Sequence, residues 1–225
     1  MPSTGNDIVS LALIDKERSN DSRFYLKFIT PSEEALGRQV ELAHLSFERY
    51  VWLCWSVKES VFKYLQRERP QMVFSPVKIV ITNIIAPAIA SETQRVDEDW
   101  EGDASGEENY RGSLTAEENT YYFRSKISAS TIATIVSDDE KCKDVIWGIS
   151  HIGQSNADLQ SEQVRSFVLK RLQTFFPGKA LHIEKVPAGY PVVMEGKKAF
   201  SLPVSFAHHG TTVSYSLLLA QPIEY

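Results

Sequence analysis

The sequence predicts an α+β fold, on three observations. Two stretches carry helical apolar spacing, most of the remainder carries the β-branched and aromatic residues of strands, and most of those strands are joined by short connections. At 225 residues the chain fits one large domain or two small ones. Each half runs from helix to strands, which predicts two related units, one from about 1 to 150 and one from about 151 to 225.

Taken in order, Asp7–Asp15 (DIVSLALID) is an apolar run of strand length, expected to end with Asp15 and Glu17 at its tip. Pro31–Leu45 is a helix candidate with proline at its start, and Ser46–Gln66 is a longer helix with Ser46 as its N-cap. Strand-type sequence follows at Ser75–Ile84, Thr120–Ser130 and Thr131–Asp138. Between the first two of these lies Asp97–Glu118, with nine acids and a single Arg111; rich in Gly, Ser and Asn and without apolar period, it reads as a solvated loop or hairpin tip. Gly148–Asp158 reads as a polar linker. Ser161–Phe176 then spaces Val164, Phe167, Val168 and Leu172 on one helical face and stops at Pro177 and Gly178. Ala180–Val186, Tyr190–Met194, Phe200–His209 and Thr211–Leu219 close the chain as strands or strand ends.

Composition narrows the function. With 43% hydrophobic and 24% charged residues, the chain has the balance of a soluble globular protein. The net charge of -5 argues against a general nucleic-acid binder. Cys54 and Cys142 belong to no metal-type or redox-type pair. The uncharged run Ile8–Ile14 is too short for a membrane span and has no basic flank before it, so the chain is read as cytoplasmic, with no membrane partner.

The stretch WLCWSVKESVFKYL (Trp52–Leu65) places Lys58, Glu59 and Lys63 in an otherwise apolar segment. Val51, Cys54, Val61 and Leu65 follow a core face, while Trp55, Glu59 and Lys63 follow i, i+4, i+8 on another. Charges in a covered helix are costly unless paired or bound to a metal. Asp15 and Glu17, read as the end of a strand, would point to one side of the sheet, and with Glu59 they would offer the hard-oxygen cage that Mg²⁺ shares with substrate phosphates. The plainer alternatives are a surface Glu59–Lys63 pair and two acids that solvate a strand end.

These residues resemble the 4'-phosphopantetheinyl transferases. Trp55–Lys63 (WSVKESVFK) matches every position of that family's W-(S/A)-x-K-E-(A/S)-x-x-K signature, and LIDKE supplies the Asp15 and Glu17 of its D-x-E element. Phe74–Ile79 is similar to the strand after the signature helix, while Gly189–Val193 and Val204–Gly210 resemble its G-K-P and S-L-S-H elements. The element order is that of the short, holo-acyl-carrier-protein-synthase type; the length and D-x-E are those of the long, surfactin-synthetase type. The short enzymes are trimers with sites between subunits, so the resemblance implies two half-domains fused as a pseudo-dimer that works as a monomer. Four positions depart from the pattern: Leu13 for the Gly of G-I-D, Tyr190 for the Lys of G-K-P, Ala207 for the Ser before His, and no Gly after the signature helix.

The resemblance implies transfer of the phosphopantetheine arm of coenzyme A to a serine of an acidic acyl or peptidyl carrier protein. It implies Mg²⁺ on Asp15, Glu17 and Glu59, Glu59 as base, Lys63 as phosphate clamp, and coenzyme contacts from Lys58, Tyr190, His208 and His209. Arg18, Arg23, Lys27 and Arg49 are the candidates for docking the carrier, and Lys197, Lys198 and His209 the substitutes near the departures. The alternatives are a catalytically impaired relative that binds coenzyme A or a carrier protein, and a metal-dependent phosphohydrolase.

Overall fold

The computed structural model describes residues 3–88, 99–153 and 156–219. Its first part contains β1 (Gly5–Ser10), a 3-10 turn at Leu11–Leu13, α1 (Lys16–Asn20), α2 (Ser22–Tyr25), α3 (Pro31–Leu36), a 3-10 turn at Val40–Leu42 and α4 (Phe47–Gln66). Strands β2 (Ile79–Ile85), β3 (Trp100–Asp103), β4 (Tyr110–Ala116), β5 (Asn119–Ile127), β6 (Thr131–Ser137) and β7 (Val145–His151) lead to α5 (Ala157–Phe175). Then come β8 (Leu181–Lys185), β9 (Pro191–Glu195), β10 (Lys198–Ala199), β11 (Val204–His209) and β12 (Thr212–Leu218). The strands form a five-stranded sheet ordered β1-β6-β5-β4-β2, a four-stranded sheet ordered β11-β12-β7-β3 and a small β10-β9-β8 sheet, all antiparallel. This is an α+β architecture.

Each large sheet has its own long helix. The apolar face of α4 (Val51, Cys54, Val57, Val61 and Leu65) is fully buried in the core it shares with the five-stranded sheet. On the other side Val164, Val168 and Leu172 of α5 pack with Val213, Tyr215 and Leu217 of β12. A third cluster, including Ile8, Ile135, Trp147 and Ala207, fills the space where the two sheets meet. β1 is buried along its whole length, because α4 packs on it and β11 and β12 lie against it. No backbone ladder joins β1 to β11; the seam is made by side chains. The Asn6 N–H donates to Ser205 Oγ at 3.2 Å, Asn6 Nδ2 donates to Ser214 Oγ at 2.8 Å, and the Thr4 hydroxyl donates to Ser216 Oγ at 2.9 Å.

Four expectations need correction. The first strand ends at Ser10, five residues before Asp15, because Leu11–Leu13 turn and Asp15 caps α1. The helix expected over Pro31–Leu45 breaks after Leu36, and the chain resumes as a 3-10 turn; Thr30 and Glu33 form a capping box at its start. Within the acidic stretch, β3 adds an edge to the four-stranded sheet and β4 lies inside the five-stranded one; the loop expected there is confined to residues 104–109, with Glu107 and Glu108 exposed, and to the hairpin tip at Glu117 and Glu118, at φ 50° and 69°. Residues 97 and 98 of that stretch lie outside the described residues. The linker expected at Gly148–Asp158 is strand as far as His151, since β7 pairs with both β12 and β3, and α5 begins at Ala157; residues 154 and 155 are outside the described set.

Candidate active site

Helix α4 carries charge on two faces that end in different surroundings. On one, Lys58 is fully buried: its Nζ donates to Glu33 at 2.8 Å, to the Pro76 carbonyl at 2.9 Å and to the Ile79 carbonyl at 2.7 Å. Glu33 also accepts from the backbone N–H groups of Thr30 and Ile81, each at 2.8 Å. Both partners have their hydrogen-bonding capacity filled, so this pair ties α3 and β2 to α4. Lys58 is therefore a structural residue rather than the coenzyme contact expected of it.

On the other face Lys63 Nζ lies 3.2 Å from Glu59 Oε1, one turn earlier, and 3.2 Å from Asp7 Oδ1 on β1. Glycine makes this approach possible. A Cβ on Gly5 would stand 2.0 Å from the Ser60 carbonyl oxygen and 2.7 Å from the Tyr64 nitrogen of α4, so only glycine lets β1 lie close enough to bring Asp7, two residues on, to Lys63. The neighbouring Ser60 is held by a hydrogen bond to the Ser56 carbonyl at 2.8 Å.

The electrostatics of this cluster are unbalanced. Burial pushes the Asp7 carboxyl up to about 6; Lys63 opposes that shift and Glu59 adds to it. Asp7 Oδ2 is buried without a close hydrogen-bond partner, although the Ser56 hydroxyl is near enough to favour the carboxylate. For Lys63 burial pulls downward, but Asp7 and Glu59 outweigh it and hold the ammonium above its ordinary value. At the end of β11, burial lowers both His208 and His209; Lys63 lowers His208 further, and Glu59 opposes the shift in both. The Ser10 N–H donates to His209 Nδ1 at 3.1 Å, which makes Nδ1 the bare nitrogen and leaves the proton on Nε2.

Beside this cluster is a cavity of about 470 Å³, whose lining includes Asp15, Arg18, Lys27, Trp52, Trp55 and His209. Trp55 stands one turn before Glu59 on the same helix, so the aromatic hollow adjoins the charged face. Another hollow, of about 620 Å³ between Arg38–Glu41 and Asn83–Ile85, shares none of these residues.

The structure thus brings together Glu59, Lys63, His208 and His209 and adds Asp7. Asp15 and Glu17 do not join them. Asp15 Oδ1 accepts from the Arg18 N–H at 3.0 Å as the cap of α1, Glu17 lies exposed in the first turn of that helix, and among the described residues no three His, Cys, Asp or Glu are grouped to hold a metal ion. The signal that identifies Asp7 was present: Gly5–Asn6–Asp7 is the Gly-x-Asp that the resemblance requires, and its glycine removes the departure at Leu13. Tyr190 stands under the guanidinium of Arg67, 5.2 Å from ring centre to Cζ. Two carboxylates, one with an unpartnered buried oxygen, beside a lysine held charged, are a donor set suited to Mg²⁺ completed by water and substrate phosphate.

In this α+β chain a half-buried helical Glu and Lys meet a buried strand carboxylate, a site that can face a phosphate. Residues 3–116, just over half of the chain, match the family model of the 4'-phosphopantetheinyl transferase superfamily, and the chain belongs to that superfamily. The match spans β1 to β4 and contains Asp7, Glu59 and Lys63. No curated protein and no solved structure matches the chain. Among the described residues no helix is long and apolar enough to cross a membrane.

Proposed function

We propose that the protein moves the 4'-phosphopantetheine arm of coenzyme A to a serine of an acidic acyl or peptidyl carrier protein, as a cytoplasmic monomer. The observation that carries this reading is the convergence of Asp7, Glu59 and Lys63, from two separate elements, beside His208, His209 and an aromatic cavity.

In the transfer the serine oxygen attacks the phosphorus that bears the pantetheine arm. A new O–P bond forms, the bond from that phosphorus to the bridging oxygen of the pyrophosphate breaks, and the electron pair leaves with adenosine 3',5'-bisphosphate. Glu59, whose side chain is 29% exposed against 7% for Asp7, is the carboxylate placed to take the serine proton. Lys63, kept protonated by its two acids, opposes the charge that develops on the phosphoryl oxygens. His209 lines the cavity and carries its proton on Nε2. Asp7 and Glu59 are the residues that would hold Mg²⁺, and the ion would supply Lewis-acid neutralisation of phosphate charge. Asp15 and Glu17 have no part in this assignment.

The side-chain seam between β1 and β11, with one long helix on each sheet, supports two fused half-domains that build one site within one chain. The boundary we place near residue 150 falls at the end of β7, although β3 and β7 contribute to the second sheet. Arg18 and Lys27 line the cavity, which favours this side, with Arg23 and Arg49, for docking an acidic carrier.

Incubation with coenzyme A, Mg²⁺ and an apo carrier protein should give a phosphopantetheine adduct by intact mass. Glu59→Gln should slow its formation by about 100-fold or more. Cleavage of the coenzyme without adduct, or binding without turnover, would reject the transferase reading.

A further inference from the structure

Arg67 is the one cation of the α4 charged stripe whose counter-charge is missing among the described residues. It follows Lys63 by one turn at the C-terminal end of the helix, so Glu59, Lys63 and Arg67 form a single line at i, i+4, i+8, about 12 Å long. Lys58 and Lys63 have carboxylate partners, and so does Arg69 just beyond the helix, with Glu117. Arg67 is half-buried, its Nη2 donates to the Pro191 carbonyl at 3.3 Å, its Cζ stands 5.2 Å over the Tyr190 ring, and among the described residues no carboxylate is in ion-pair reach. Burial pulls its pKa down to about 10, opposed only by Tyr190. The helix C-terminus favours a cation there, but that effect is small and screened against the cost of drying a guanidinium.

The surroundings add positive charge. Val186 N donates to the Tyr190 carbonyl at 3.1 Å, and Lys185 pairs with Pro191 across the β8–β9 ladder, so Lys185 belongs to the same corner as Tyr190. Lys185 and Lys63 both act on His208 at the end of β11. Three cations, Lys63 and Arg67 of α4 and Lys185 of β8, therefore border the space between α4, the β8–β9 corner and β11. A planar guanidinium with donors to spare, backed by an aromatic ring and two lysines, suits a phosphoryl group. The lysines at 197 and 198 are not in this corner. They follow Glu195, at the other end of β9, about 13 Å along the strand from Pro191.

We propose that Arg67, propped by Tyr190 and assisted by Lys185, binds a phosphoryl group of the coenzyme one helical turn beyond Lys63, in the role that a lysine at position 190 would otherwise fill. The inference rests on the phosphopantetheinyl-transferase reading. Either the pyrophosphate or the 3'-phosphate of coenzyme A offers this chemistry.

The test compares coenzyme A and dephospho-coenzyme A by calorimetric binding and by KM in carrier modification. Arg67→Gln should weaken coenzyme A by about tenfold, with kcat changed less than twofold, and Arg67→Lys should restore part of the loss. A loss seen only with coenzyme A assigns the 3'-phosphate; equal losses with both assign the pyrophosphate. Unchanged binding by folded Arg67→Gln, while the wild type binds and transfers, would overturn the Arg67 site alone; a wild type that binds no coenzyme A would overturn both readings. Should Arg67→Gln not fold, phenylglyoxal mapping of the wild type decides. Coenzyme A should protect Arg67 from modification, and equal labelling with and without it would count against the site.

Discussion

Lys58 and Lys63 lie five residues apart on one helix, and they teach how the same side chain serves stability or chemistry. Lys58 meets Glu33 and two carbonyls, and Glu33 in turn has two backbone N–H donors, so every charge is answered within the protein. Lys63 meets two acids at 3.2 Å, longer than the 2.8 Å of Lys58 to Glu33, and one buried oxygen of Asp7 has no close partner. The first site is closed. The second keeps unspent capacity, which a substrate or an ion can use.

The sharpest way to break this contrast is to remove one partner from each pair. Glu33→Ala should destabilise the fold by about 3–5 kcal/mol, since it leaves the Lys58 ammonium buried and unanswered. The double variant Glu33→Leu with Lys58→Met should recover much of that. Lys63→Met should cost far less stability and yet remove most transfer. Chemical denaturation checks the order, and a Glu33→Ala loss no larger than that of Lys63→Met would end the distinction.

Asp7 gives the next largest effect, and its sign is opposite to that of an ordinary salt bridge. Its folded pKa, about 6, lies above the unfolded 3.8, so the folded chain holds a proton that the unfolded chain has released. The stability this contributes is complete below about 3.8 and is lost as pH rises through about 6. Asp7→Asn should therefore stabilise the protein by roughly 1–3 kcal/mol at pH 7.5, show little gain at pH 4, and abolish transfer. Comparing variant and wild type at the two pH values cancels the other titrations. A loss of stability at pH 7.5 would mean that Asp7 is held by the fold rather than strained by it.

The legibility of the sequence follows the same division. Helix α4 and its two faces were readable because periodicity and a nine-residue signature coincide there, and Glu59 and Lys63 came with them. β7 was missed because Gly148 and the polar residues after it look like a linker, whereas the strand is specified by its pairing with β3 and β12. The error over Asp15 arose from one strand boundary. An apolar run of nine residues looks like a strand throughout, and the turn at Leu11–Leu13 leaves Asp15 capping α1 at the aromatic cavity rather than at a strand end beside Glu59. The position of Lys58 was not legible, because its partner Glu33 lies in another helix and no local spacing connects them.

The smallest effect tests the seam that aligns Asp7 with the histidines. His209 Nδ1 accepts from the Ser10 N–H, and burial holds its pKa below the ordinary value. The unfolded chain then binds more protons, so the histidine's contribution is present above about 6.5 and is lost as pH falls toward the lower folded pKa. His209→Ala should cost about 0.5–1.5 kcal/mol at neutral pH through the lost acceptor. His209→Asn, whose side-chain oxygen can take the same hydrogen bond, should cost less and should shrink the loss of stability between pH 7 and 5. If His209→Asn kept the full acid sensitivity, the titration would belong to His208, which faces Lys63 rather than the backbone of β1.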